Sequence, residues 1–277
     1  MYNLQGKVAL VTGVGGKYGI GRAIAIRLAE EGADLIVNDI VPVRKGDDDD
    51  WAGLPDVVRE IEAMGRKALS IVADVSNADD VNEMVQKGID HFGHIDILVC
   101  NAGALAGRDR VPVIELEEAD WDRLQNVNVK GTFLCCKAVA PHMIAQRQGG
   151  RIITMSSVSG MKGTARFAAY CASKFAVRGF TQVLAQELAP HGITVNAICP
   201  SLIETERVSD MAAALAPSGV SATDYREEML ARSTTFNPVG RMGQPADVAR
   251  TAAYLCSPEA DFLTGLSIPV AGGSFMG

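Results

Sequence analysis

Residues Lys7 to Gly21 read KVALVTGVGGKYGIG. The run from Lys7 to Thr12 is apolar on both of its alternating faces, which suits a strand buried on both sides. A glycine-rich turn, Thr12 to Gly21, follows at once. The next stretch, Gly21 to Glu31, places apolar residues three and four apart, as a helix does. A glycine turn between strand and helix is the context in which a backbone can close on a pyrophosphate. Glycines allow the tight turn, and the helix N-terminus offers free amides and the positive end of its dipole. Gly13, Gly15, Tyr18, Gly19, Ile20 and Gly21 are therefore candidate dinucleotide contacts.

The same alternation continues along the chain. Asp34 to Asn38, Ala68 to Ala73, Ile95 to Asn101, Arg151 to Met155, Thr194 to Cys199 and Leu266 to Val270 read as buried strands. Leu54 to Gly65, Val81 to Phe92, Val129 to Gln146 and Ala168 to Ala189 read as helices between them. Apolar strands joined by helical crossovers predict an α/β fold. The expected form is a doubly wound, Rossmann-type parallel sheet of seven strands with helices on both faces. One domain over residues 1–277 is expected, because no linker or repeat interrupts the pattern. Two stretches break the rhythm. An acidic insertion, residues 42–54, contains Asp47 to Asp50 and reads as a solvated loop. Residues 204–238 follow the sixth strand and are placed to cover a ligand as a lid.

Composition excludes several functions. A net charge of −7 argues against a nucleic-acid partner. No apolar run approaches the ~20 residues that cross a bilayer, and Met1 to Val11 lacks the pattern of a secretory signal. The six cysteines, Cys100, Cys135, Cys136, Cys171, Cys199 and Cys256, lack metal-ligand spacing and lie in apolar segments. They read as buried thiols of a cytoplasmic protein, and no metal site is expected.

Asp39 ends the second strand, eighteen residues after Gly21. A carboxylate there accepts hydrogen bonds from a ribose 2′-hydroxyl and repels a 2′-phosphate, which favours NAD over NADP. Lys17, Arg44 and Lys45 are the opposing signal, since a cation can pair with a 2′-phosphate. Asp74, ending the third strand, is placed to meet the adenine amino group, with Val75 offering its backbone.

Tyr170 and Lys174 are four residues apart, and Ser157 lies thirteen residues before Tyr170. On a helix the first two share a face. A phenol titrates near ~10, too high for a base at neutral pH. An ammonium beside it favours the phenolate. With a serine hydroxyl to orient the substrate oxygen, the set suits proton exchange with an alcohol or carbonyl.

These residues together resemble the short-chain dehydrogenase/reductase family over nearly the whole chain. Thr12, Gly13, Gly19 and Gly21 match its Thr-Gly-x-x-x-Gly-x-Gly loop, although Val14 to Tyr18 supply five residues where three are usual. The family's Asn-Asn-Ala-Gly motif appears as Cys100-Asn101-Ala102-Gly103, and Asn101, Ala102 and Gly103 inherit its place beside the cofactor. Asn128, Ser157, Tyr170 and Lys174 match the catalytic tetrad. Pro200-Ser201 stands for the Pro-Gly turn, and Ile203 and Thr205 match positions that hold the carboxamide. Ala271 stands where many members have aspartate.

The resemblance implies an NAD-dependent enzyme transferring hydride between nicotinamide and a secondary alcohol or ketone. Tyr170 would act as acid/base, Ser157 would hold the substrate oxygen, and Lys174 would hold the nicotinamide ribose. Asn128 would hold, by its carbonyl and a helix distortion, a relay water. Sugars, polyols and other polar or anionic alcohols are candidate substrates. Arg108, Arg110, Arg166 and Arg207 either face solvent or clamp a substrate anion. The rival readings are an NADPH-dependent 3-oxoacyl thioester reductase and, from another class, a non-catalytic dinucleotide-binding protein. A homotetramer is expected, built on the helices Val129 to Gln146 and Ala168 to Ala189.

Overall fold

The computed structural model describes residues 2–43 and 50–276. Seven strands, β1 (Val8–Thr12), β2 (Asp34–Asp39), β3 (Ala68–Val72), β4 (Ile97–Cys100), β5 (Gly150–Met155), β6 (Ile193–Pro200) and β7 (Ser267–Val270), form one sheet among the described residues. All neighbours are parallel, in the order β3-β2-β1-β4-β5-β6-β7. The strands fall where the apolar runs placed them.

The two-residue period of β1 shows why both faces are covered. Ala9 and Val11 enter one core with α1 (Ile20–Glu30), α2 (Leu54–Ala63) and, further along the chain, the helix Pro245–Cys256. Val8 and Leu10 enter the opposite core with α3 (Ala78–Phe92) and the two long helices Gly131–Gln146 and Ala168–Leu188. A strand with no polar face can persist only when each face has its own layer. The chain reverses direction across the sheet between β1 and β4, and the carboxyl ends there leave a crevice.

Three stretches differ from the sequence reading. The helix expected from Val129 is longer: α4 (Glu118–Gln125) runs through a π-helical turn, Asn126–Lys130, into α5 (Gly131–Gln146). No capping break separates them, because Asn126 and Lys130 both keep helical dihedrals. After α6 (Ala168–Leu188) and β6, residues 204–238 contain α7 (Arg207–Leu215) and α8 (Ala222–Phe236), which pack on each other. Ser221 caps α8 by accepting from the Asp224 amide. The last helix, α9 (Pro245–Cys256), opens with Pro245 and a reciprocal Gln244–Asp247 cap. Arg44, Lys45 and Asp47 to Asp49 lie outside the described residues.

Candidate active site

The glycine loop is locked to the sheet by a polar seam. Thr12 Oγ1 accepts from the Asn101 and Ala102 amides at 3.1 and 3.0 Å. Asn101 Nδ2 returns two bonds, to Thr12 O at 2.8 Å and Gly13 O at 2.9 Å. Glycine is required here for space: a Cβ on Gly21 would meet Gly13 O at 2.2 Å and Asn101 Nδ2 at 2.4 Å. Gly13 also has a φ of 71°, in the left-handed region. Gly19 precedes α1 with no side-chain cap among the described residues, and Gly19, Ile20 and Gly21 line the crevice at the start of that helix. A loop of this kind fits a dinucleotide pyrophosphate.

A cleft of about 370 Å³ opens between these ends. Its wall includes Gly13, Gly19, Ile20 and Gly21 from the loop, Asp39, Asp74 and Val75 from the ends of β2 and β3, Asn101, Ala102 and Gly103 after β4, and Thr205. Asp39 is held from two sides: Oδ2 accepts the Gly15 amide at 2.8 Å, and Oδ1 accepts the Ile40 amide at 2.8 Å. Asp74 Oδ1 receives both the amide and hydroxyl of Ser76, each at 2.8 Å. Cys100, at the position of the family's first asparagine, is buried beside Cys136, with sulfurs 3.8 Å apart and both thiols free.

The tetrad lies beside this cleft, at the ends of β5 and β6. Lys174 is buried, and its Nζ donates to Met155 O at 2.8 Å. The same Nζ lies 5.7 Å from the centre of the Tyr170 ring. Burial, reinforced by the positive charge of Arg207, pushes the Lys174 ammonium down to about 7. Ser157 Oγ faces Pro200 O at 3.4 Å and accepts the Ser159 amide at 3.1 Å. Tyr170 is half-buried, and its hydroxyl takes no hydrogen bond from the described residues. Asn128 sits in the π turn and joins the tetrad to the cleft. Its Oδ1 accepts the Ala104 amide at 2.9 Å, and its Nδ2 donates to Ser173 Oγ at 2.9 Å. Ser173 in turn donates to Tyr170 O at 2.8 Å. The Asn128 carbonyl accepts Thr132 Oγ1 at 2.7 Å.

The remaining expected contacts lie off the cleft wall. Gly15 stands behind Asp39, and Tyr18 is largely exposed, with its amide donating to Glu206 Oε1 at 3.0 Å. Pro200 ends β6, and the Ile203 side chain is buried in the core that contains α1 and α9. The four arginines separate. Arg108 is exposed, while Arg207 lines the cleft and donates to Gly103 O. Arg166 donates to Arg110 O at 3.1 Å. Arg110 is buried against the fully buried Asp109 and stacks on Tyr170 and Phe167, so it belongs to the framework of the site.

Sequence reading missed Asp109, Trp51 and Glu206. Trp51 donates its indole N–H to Gly15 O at 2.8 Å. Glu206 and Arg207 together carry the chain across the cleft, from the glycine loop to the end of β4. Trp51 was signalled only as a lone tryptophan beside the acidic run, and nothing local signalled Asp109 or Glu206.

A family model described as enoyl-(acyl carrier protein) reductase matches residues 13–274. A short-chain dehydrogenase/reductase of Armillaria gallica is 42% identical over 270 residues, 97% of this chain and 96% of its own length. A 3-oxoacyl-(acyl-carrier-protein) reductase of Staphylococcus epidermidis is 39% identical over 274 residues, 98% of this chain and 99% of its own. The crystal structure of an NAD+-bound xylitol dehydrogenase matches with a TM-score of 0.84 at 34% identity, over 97% of this chain and 99% of that one. Similarity of this extent, on a sheet whose crevice carries the expected loop and tyrosine–lysine turn, establishes that the chain belongs to the short-chain dehydrogenase/reductase family of oxidoreductases, which bind a nicotinamide cofactor.

Proposed function

We propose that this protein is an NAD-dependent oxidoreductase that interconverts a secondary alcohol and its ketone. The observation that carries the reading is the Tyr170–Lys174 turn, with a buried ammonium beside a phenol whose hydroxyl takes no hydrogen bond among the described residues. Bound nicotinamide supplies the hydride acceptor or donor. The protein's part is proton handling and orientation. Ser157 donates to the substrate oxygen and fixes it. Tyr170 takes the hydroxyl proton in oxidation and returns one in reduction. Lys174 holds the ribose of the cofactor. Asn128 holds the turn of α6 against the cleft floor, and its π-helical setting leaves its carbonyl able to accept from a relay water.

Asp39 supports NAD as the cofactor, because its fixed carboxylate repels a 2′-phosphate. Gly13, Gly19, Ile20 and Gly21 would cradle the pyrophosphate, Asp74 and Val75 the adenine, and Asn101 to Gly103 and Thr205 the nicotinamide half. Residues 204–238 would form the substrate lid of a single domain. Exposed Phe133 on α5 and Phe175 and Val183 on α6 support association through these helices into a homotetramer. The second reading, a 3-oxoacyl thioester reductase, is favoured by the Staphylococcus epidermidis relative.

The deciding experiment follows nicotinamide absorbance with each of NAD, NADP, NADH and NADPH. The panel contains secondary alcohols, sugars, hydroxy acids and a 3-oxoacyl thioester. Turnover of alcohols with NAD supports the first reading. Thioester reduction with NADPH alone replaces it with the second.

A further inference from the structure

The backbone of Gly15 is gripped through both its N–H and its carbonyl. Its N–H donates to Asp39 Oδ2 at 2.8 Å, and its carbonyl accepts the Trp51 indole N–H at 2.8 Å. A Cβ on Gly15 would lie 3.0 Å from Asp39 Oδ2, so the approach has no slack. Trp51 is braced in turn. The guanidinium carbon of Arg22 lies 5.2 Å from its ring centre. Arg22 donates to both Glu60 oxygens, at 2.8 and 2.5 Å, and to Lys17 O at 2.9 Å. The Arg22 charge is thereby matched by Glu60, and the guanidinium serves as a post for Trp51 and the loop.

A carboxylate that can swing aside discriminates poorly, because it relieves a clash at little cost. One held at a fixed position keeps its repulsion for a like charge and loses less freedom when it accepts a hydroxyl. We propose that Trp51 is a specificity-determining positioning residue for the dinucleotide: by clamping Gly15 it holds the Asp39 carboxylate against dinucleotides that carry a 2′-phosphate. The two extra loop residues and Trp51 then form one device, in which the tryptophan supplies the clamp and the lengthened loop receives it. The assignment rests on the reading of Asp39 as the ribose contact.

The test is calorimetric titration of NADH and NADPH into the full chain and its Trp51→Phe, Asp39→Ala and doubly substituted variants. Phenylalanine keeps the ring and removes the donor. One net hydrogen bond sets the scale, so Trp51→Phe is expected to lower the NADH-over-NADPH preference about three- to tenfold. In the Asp39→Ala background the same change is expected to leave the ratio unaltered. Equal weakening of both dinucleotides by Trp51→Phe overturns the proposal, as does a drop in the ratio that persists without Asp39. A native protein that does not prefer NADH overturns the ribose reading itself, and this shows before any substitution is made. Gly15→Ala is the second variant should Trp51→Phe not fold. Its Cβ presses on Asp39 directly, and a ratio unchanged there also overturns the proposal.

Discussion

The guanidinium carbon of Arg110 lies 4.7 Å from the centre of the Tyr170 ring and 4.3 Å from that of Phe167. A buried cation thus packs against the ring of the proposed acid/base. Burial pushes the Arg110 guanidinium below its usual range, while the charge of Asp109 opposes the shift. Asp109 also accepts from Arg123 at 3.2 Å and from the Gly107 amide at 3.0 Å. Removing Arg110 leaves a fully buried carboxylate with less compensation. Arg110→Leu is expected to cost about 3 kcal/mol of stability, read from urea unfolding. Adding Asp109→Asn should recover part of that loss, since the lone charge goes with it. A single variant as stable as the native protein would show that the pair contributes nothing.

Lys174 gives the protein a pH signature. The folded state holds its ammonium at about 7, below the ordinary 10.5. Between those values the unfolded chain binds the extra proton, so stability must rise with pH across the window. The slope from this group is at most about 1.4 kcal/mol per pH unit. Lys174→Met should abolish turnover yet make the cofactor-free protein more stable near neutrality, with a shallower rise toward alkaline pH. Denaturation midpoints measured from neutral to pH 10 check this, and an unchanged slope would sink it.

Legibility followed the range of the interactions. Strands and the glycine loop were readable because their signals are local: runs buried along almost their whole length in β1 and β5, and steric demand at Gly13 and Gly21. The approach of Lys174 to the Tyr170 ring was readable because one helical turn sets it. What escaped was set by distance along the chain. The Tyr18–Glu206 bond joins residues 188 apart, and Trp51 reaches a carbonyl 36 residues back. The fusion of α4 with α5 escaped for another reason. The π turn has no residue signature in its own sequence, Asn126–Lys130, and tertiary bonds from Asn128 hold it.

Tyr170 and Asn128 should separate chemistry from scaffold. Tyr170→Phe removes only a hydroxyl that the described residues leave unbonded, so folding and dinucleotide affinity should survive. General acid/base loss should lower kcat by about 10²- to 10⁴-fold. Asn128→Ala orphans the Ala104 amide and removes the donor to Ser173 Oγ, and should cost about 1–3 kcal/mol of stability as well as turnover. Thermal unfolding alongside steady-state kinetics distinguishes the two. Full turnover in Tyr170→Phe would remove the tyrosine from the mechanism.

Glu206 places a carboxylate on the wall of the cleft that would receive two phosphates. Its Oε1 also accepts the Tyr18 amide at 3.0 Å, tying the start of α7 to the glycine loop. The hydrogen bond and the charge therefore act in opposite directions on dinucleotide binding. Glu206→Gln keeps an oxygen for the amide and removes the charge, so it should tighten NADH binding by about two- to fivefold. Glu206→Ala loses the tie as well and should gain less. Because the effect is repulsion across a solvated cleft, it should shrink as salt shortens the screening length. Titrations at low and high ionic strength decide the matter: a Gln variant that binds no tighter at low salt, or whose gain ignores salt, would show that the tie alone sets the role of Glu206.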